Sequence, residues 1–307
     1  MTFHLQPALR TAAAAMLVAL GIGSTPVWSQ STGWKNPENN NGVIKAQKEG
    51  GSPREAGKVK IDFFGHMAFR ITSPQGVSVL IDPWRNDPTG AWGLWFPNDF
   101  PPVYVDAVLS THAHFDHDAV DKPHADMVLE RMAGRFELGD VAITGYADKH
   151  QCDAPGWFKW SDAVAESGGH CPPDNPMQLD NVIYIIETGG MRIAHWGDNR
   201  PEPDARIMKA LEGVDVLIMN IDGSQHILSY AQIDSLLKRI KPHAIVPGHY
   251  LTHGVSTTLT TLQTADEWVD KHGNAVKLTT GSLEIQPAEV KAMDQKVMYF
   301  GSNFVKK

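Results

Sequence analysis

From Lys58 onward the chain is built of short apolar runs separated by turn residues, a spacing that predicts strands first and helices later. Val59-Lys-Ile-Asp-Phe-Phe64, Ala68–Thr72 and Val77–Ile81 read as three short strands, the last two joined through Pro74-Gln-Gly76. Trp84–Tyr104 is irregular, with Trp84, Trp92, Trp95, Phe96 and Phe100 set among Pro and Gly. Such a loop serves either as a packed cover or as a wall of a binding cleft. Val105–Ser110 is a buried strand, Ala119–Arg135 has helical character, and Val141–Gly145 resumes strand. Asp153–Met177 reads as an irregular insertion. Asn181–Glu187, a Gly189-Gly190 turn and Met191–His195 form a hairpin. Helices over Arg206–Leu211, Ala231–Ile240 and Thr261–His272 then alternate with strands over Val214–Met219, Ala244–Pro247 and Val276–Thr279. Strands clustered early and alternating with helices later imply an α/β domain of two sheets sandwiched between helices.

The densest chemistry lies just after the strand Val105–Ser110, in Thr111-His-Ala-His-Phe-Asp-His117. Alternation along an extended backbone puts His112 and His114 on one side, where they can share an ion. Asp116 and His117 come where the chain turns and can face a second one. Further candidates sit at or just past strand ends: His150, Asp198 in His195-Trp-Gly-Asp, and His249 in Pro247-Gly-His-Tyr. The glycines before Asp198 and His249 let the backbone approach closely. Together these residues complete two coordination spheres. His112, His114 and His150 would hold one ion, Asp116, His117 and His249 the other, and Asp198 would bridge. His170 competes with His150 for the third position. Imidazole plus carboxylate suits two divalent cations, zinc foremost, with manganese or iron as alternatives.

At 307 residues, with 42% hydrophobic and 20% charged residues, the chain has an ordinary globular composition. Its net charge of −8 and lack of a basic run argue against nucleic acid as a partner. Residues 1–29 look like a signal peptide: Arg10, an apolar stretch over Thr11–Gly23, and a cleavage point between Ser29 and Gln30. Residues 30–57 read as a flexible leader, and 58–307 as one domain carrying the insertion near 153–177. No later segment is apolar enough to span a membrane, so the expectation is a soluble periplasmic or secreted protein. In that compartment Cys152 and Cys171, the two cysteines, would form a disulfide contributing about 3 kcal/mol. The rival role for Cys152, close to His150, is a thiolate ligand.

Five motifs, Phe64-Gly-His-Met, Leu80-Ile-Asp-Pro-Trp84, Thr111–His117, His195-Trp-Gly-Asp198 and Pro247-Gly-His-Tyr250, together resemble the metallo-β-lactamase-fold superfamily, in the branch similar to ascorbate-6-phosphate lactonase. The resemblance implies a single-domain, four-layer αββα sandwich. It also implies roles near the site for His66 and His195, contacting substrate or supporting ligands. Asp82 could orient a ligand imidazole or merely cap its turn. His226 and Tyr250 are candidates for meeting the developing oxyanion. The chain departs from the branch at Asn220-Ile-Asp-Gly-Ser-Gln-His226, where a glycine-rich turn is usual.

The expected activity is that of an exported metal-dependent hydrolase. It would use a metal-bridged hydroxide, oriented by Asp116, on an ester, lactone or amide bond of a small molecule. The alternatives are a phosphodiesterase or phospholipase on the same dinuclear centre, an iron redox enzyme, and a non-catalytic metal-retaining binding module. Oligomeric state stays open.

Overall fold

The computed structural model describes residues 50–90, 93–153, 159–166, 168, 179–252 and 260–305. In chain order the strands are β1 (Val59–Phe63), β2 (Phe69–Thr72), β3 (Ser78–Ile81), β4 (Tyr104–Ser110), β5 (His124–Glu130), β6 (Gly134–Leu138) and β7 (Val141–Asp148). Then follow α1 (Trp160–Glu166), β8 (Asn181–Thr188), β9 (Met191–His195), α2 (Ala205–Leu211), β10 (Val216–Asn220), α3 (Tyr230–Ile240) and β11 (Ala244–Gly248). The chain closes with α4 (Asp266–His272), β12 (Ala275–Lys277), β13 (Ser282–Ile285), α5 (Pro287–Lys291) and β14 (Lys296–Tyr299).

Two sheets result, ordered β13-β1-β2-β3-β4-β5 and β12-β14-β11-β10-β9-β8-β7-β6. Period-two alternation sorts their side chains. Val79, Ile81, Ala107 and Leu109 face inward and join Ile143, Ile183, Ile193 and Ile218 of the second sheet in one core. Leu80 and Val108, one residue out of phase, point to the opposite face. There they meet Trp84, Phe96, Phe100 and Val103, so the aromatic loop supplies the outer layer of the first sheet. Ile207 and Leu211 of α2 and Ile233, Leu236, Leu237 and Ile240 of α3 extend the main core as one buried stripe per helix. Helix α3 begins at a reciprocal cap, in which Ser229 Oγ accepts from Gln232 N and Gln232 Oε1 from Ser229 N. Such a cap is worth about 1 kcal/mol and fixes where the preceding loop ends.

Several expected elements are corrected. Ala119–Arg135 is not helical. His124-Ala-Asp-Met-Val-Leu-Glu130 alternates exposed and half-buried positions, and β5 pairs in parallel with β4. Arg131, with φ of 50°, then turns the chain toward β6. Strand β7 continues through Asp148, and α4 starts only at Asp266, where two acidic residues open its first turn. The insertion contains α1, and residues 154–158, 167 and 169–177 of it lie outside the described residues. Elements β13, α5 and β14 were not anticipated. β13 pairs with β1, and β14 lies between β11 and β12, so the C-terminal strands enter both sheets. Residues 50–57 lie along the β8–β9 turn, with hydrogen bonds from Gly57 N to Gly189 O (3.2 Å) and from Gly190 N to Pro53 O (2.9 Å). Residues 1–49, and with them the expected cleavage site, fall outside the described region.

Candidate metal centre

Strands β4, β9 and β11 all deliver side chains from their C-terminal ends to one place between the sheets. After β4, His117 N and Asp118 N both bond back to His114 O (2.9 Å each), a tight turn that swings Asp116 and His117 over His112. After β9, Gly197 has φ of 60°, and a Cβ there would sit 2.7 Å from Asn181 Oδ1 and 2.8 Å from Thr111 Cβ. At the end of β11, Gly248 passes so close to Met67 that a Cβ would lie 2.6 Å from its Sδ. Both glycines serve the close approach expected of them. His249 follows with φ of 61°, its N bonded to His66 O at 2.8 Å.

Among the described residues three ligand-capable groups form, each with its donor atoms within 4.8 Å of one another: His112, His114 and His150; His66, Asp116, His117 and His249; and His112, His117 and Asp198. Asp198 Oδ2 is the common centre. His249 Nε2 stands 3.1 Å from it, His117 Nε2 and His150 Nε2 each 3.5 Å, and His112 Nε2 3.8 Å. Every metal position expected from the sequence is therefore in the cluster. His170 and Cys171 lie outside the described residues. Cys152 is buried.

The Nδ1 atoms of His117, His112 and His150 are held from behind. Asp82 Oδ2 lies 2.9 Å from His117 Nδ1 and accepts from Thr111 Oγ1 (2.8 Å), while its Oδ1 accepts from Thr111 N (2.7 Å). Thr111 Oγ1 also meets His112 Nδ1 at 3.0 Å, and His150 Nδ1 meets Gln151 O. Asp82 thus fixes the ring of His117. His66 stands nearer than expected, its Nε2 2.9 Å from Asp116 Oδ2. His195 lies behind the cluster, with Nε2 3.0 Å from Met67 O and Nδ1 4.0 Å from Asp82 Oδ2. His226 lies beside the site, its ring nearly parallel to that of His249 at 5.9 Å. Tyr250 is a correction: its hydroxyl donates to Gly301 O (2.9 Å), and its ring packs on Phe63 and Tyr299, so the proton is committed away from the centre. Trp95 packs edge-on against Phe115, beside the ligand cluster, while Trp84 and Phe96 stack within the outer layer. The aromatic segment therefore covers the first sheet and reaches the turn that carries the histidines. Trp92 is outside the described residues.

Charge is distributed as a cation site requires. Burial, reinforced by neighbouring imidazoles, lowers His66 and His114 to about 4 and His112 well below its ordinary value. Burial alone would raise Asp116 and Asp198, but His117 and the other imidazoles outweigh it and hold both carboxyls well below the usual range. Burial also opposes a charged His117. Asp198, Asp116 and Asp82 overcome this and lift it to about 10. The Nε2 atoms of His112, His117 and His150 are buried with no hydrogen-bond partner among the described residues. Unpaired buried nitrogens aimed at a shared carboxylate are costly in a protein alone and are satisfied by a divalent cation. The donor set fits such ions.

A family model described as "Beta-lactamase superfamily domain" matches residues 60–249. A UPF0173 metal-dependent hydrolase of Myxococcus xanthus is 29% identical over 206 residues, covering 64% of this chain and 72% of its own. A second of that description, from Thermus thermophilus, is 28% identical over 207 residues, covering 63% and 84%. A crystal structure from Thermotoga maritima, described as a candidate Zn-dependent hydrolase of the metallo-β-lactamase superfamily, matches 78% of the chain and 97% of its own. Its TM-score is 0.52 and its identity 19%.

Proposed function

Because the chain belongs to the beta-lactamase superfamily, as a metal-dependent hydrolase of the metallo-β-lactamase fold, we propose that it holds two divalent cations, zinc foremost, and cleaves an ester, lactone or amide bond of a small molecule. The convergence of four imidazole Nε2 atoms on Asp198 Oδ2 carries this reading. His112, His114 and His150 would hold one ion, Asp116, His117 and His249 the other, and Asp198 both. Such ions supply Lewis acidity and lower the pKa of a bound water toward neutrality.

The protein's own groups organise the rest. Ionised Asp116 can only accept hydrogen bonds, so neutral His66 carries its proton on Nε2 and directs it at Asp116 Oδ2. This leaves Asp116 Oδ1 to accept a hydrogen bond from the attacking water and orient it. Asp82 holds the Nδ1 proton of His117, so that a cation displacing the other proton would find the Nε2 lone pair beside Asp198. No Ser or Cys nucleophile is required.

The test pairs metal analysis with turnover of chromogenic lactone, ester, amide and bis-phosphodiester substrates. Wild-type protein purified without added ions should carry metal, and the double variant His112→Ala/His114→Ala should lose both the metal and at least a thousandfold in rate, about 4 kcal/mol of barrier. Undiminished hydrolysis by that variant would refute the reading.

The same proposal places the mature protein outside the cytoplasm, cut between Ser29 and Gln30, with Cys152 and Cys171 bonded. The apolar stretch Thr11–Gly23 supports export. Among the described residues no helix is long and apolar enough to cross a membrane. Intact mass of the exported fraction should show a chain beginning at Gln30 and lighter by two hydrogens than its reduced form. A full-length chain with both thiols free would count against it.

A further inference from the structure

Asp198 presents one oxygen to the imidazoles and turns the other into the protein, where its partner is unusual. Asp198 Oδ1 accepts from Asn220 Nδ2 at 2.6 Å, its only hydrogen bond among the described residues. Asn220 is the last residue of β10, fully buried behind the apolar run Val216-Leu-Ile-Met219. The polarity of its amide follows from its neighbour. An ionised carboxylate only accepts, so the NH2 group must face Asp198. The amide oxygen, Asn220 Oδ1, is thereby left buried with no partner among the described residues. A buried carbonyl without a donor is unfavourable, and an apolar side chain here would remove that cost. The main chain of Asp198 is secured separately, its N bonded to Asn181 Oδ1 at 3.2 Å. Asn220 therefore acts on the carboxylate itself, at the expense of local stability.

We propose that Asn220 is a positioning residue that occupies Asp198 Oδ1, so that Oδ2 alone is shared between the two cation positions. The inference rests on the two-ion reading of the site. With Oδ1 engaged, the carboxylate cannot rotate to grip one ion with both oxygens, and both sets of imidazoles are served by a single atom. Removing the donor frees that rotation and uncouples the two positions.

The experiment compares wild type with Asn220→Leu, which keeps the side-chain size without the donor, and with Asn220→Ala as a second variant should leucine not be accommodated. Zinc affinities are measured for both ions by competition with a chromophoric chelator, and the visible absorption of cobalt(II)-loaded protein reports ligand geometry. Expected is a metal-free melting temperature no lower than wild type for Asn220→Leu. One ion should be retained within threefold, the other weakened at least tenfold, and the cobalt bands shifted. Unchanged affinities with an unchanged cobalt spectrum would overturn the proposal, as would equal weakening of both ions, the mark of general damage. Wild-type protein that binds fewer than two ions would instead overturn the two-ion reading, and the role of Asn220 with it.

Discussion

At Asp82 three donors meet one carboxylate: Thr111 N on one oxygen, and Thr111 Oγ1 with the His117 Nδ1 side on the other. An amide in its place offers a single acceptor oxygen, so at least one of the three is abandoned. Asp82→Asn should therefore weaken metal binding by about tenfold to a hundredfold while the protein still folds, read by chelator competition beside a thermal melt. Undisturbed affinity would reduce Asp82 to a turn residue. Asp82 also adopts φ of 53°, which ties its own backbone into that role. Legibility differs sharply between residues. His112, His114, Asp116 and His117 announce themselves because their spacing is local. Asn220 and Thr111 gave no such signal, since an asparagine ending an apolar strand reads as a simple stop. Tyr250 was misread for the opposite reason: a motif neighbour of His249 is turned by the backbone toward Gly301.

At the scale of elements, buried strands were legible wherever an apolar run was bounded by turn residues, as in β1, β3, β9 and β11. The segment 119–135 failed because its period-two signal is carried by half-buried Ala125, Met127 and Leu129 opposite an exposed Val128. That mixture mimics a helical face when no partner strand is in view. Strands β13 and β14 are short, and their burial is conferred by partners far away in sequence, β1 and β11. No local pattern carries that information. The outer layer on the first sheet shows the same limit. A proline-rich aromatic loop can cover a sheet as a helix does, and only tertiary packing says which.

On the scale of the molecule, the centre is stitched from both sheets: Asp82 and the His112–His117 turn from one, His150, Asp198 and His249 from the other. A cation held there would link the layers, adding about 2.7 kcal/mol when present at a hundredfold over its Kd. In the metal-free protein the histidines set opposing limits. His117, raised to about 10, contributes fully below about pH 6.5, and its contribution is lost as pH climbs toward 10. His66 and His114, lowered to about 4, take up protons more readily when unfolded, so stability also declines as pH falls from about 6.5 toward 4. Melting temperature of chelator-treated protein should peak near neutrality and fall on either side. Bound zinc should remove the alkaline limb, because it takes the nitrogen that the proton would leave. A metal-free melting temperature flat from pH 6.5 to 9 would contradict this assignment. The late strands carry a different implication. With β13 flanking β1 and β14 wedged beside β11, a nascent polypeptide can finish neither sheet until residues 282–299 have emerged. That delay defers convergence of the histidines and Asp198 on one another until late in synthesis.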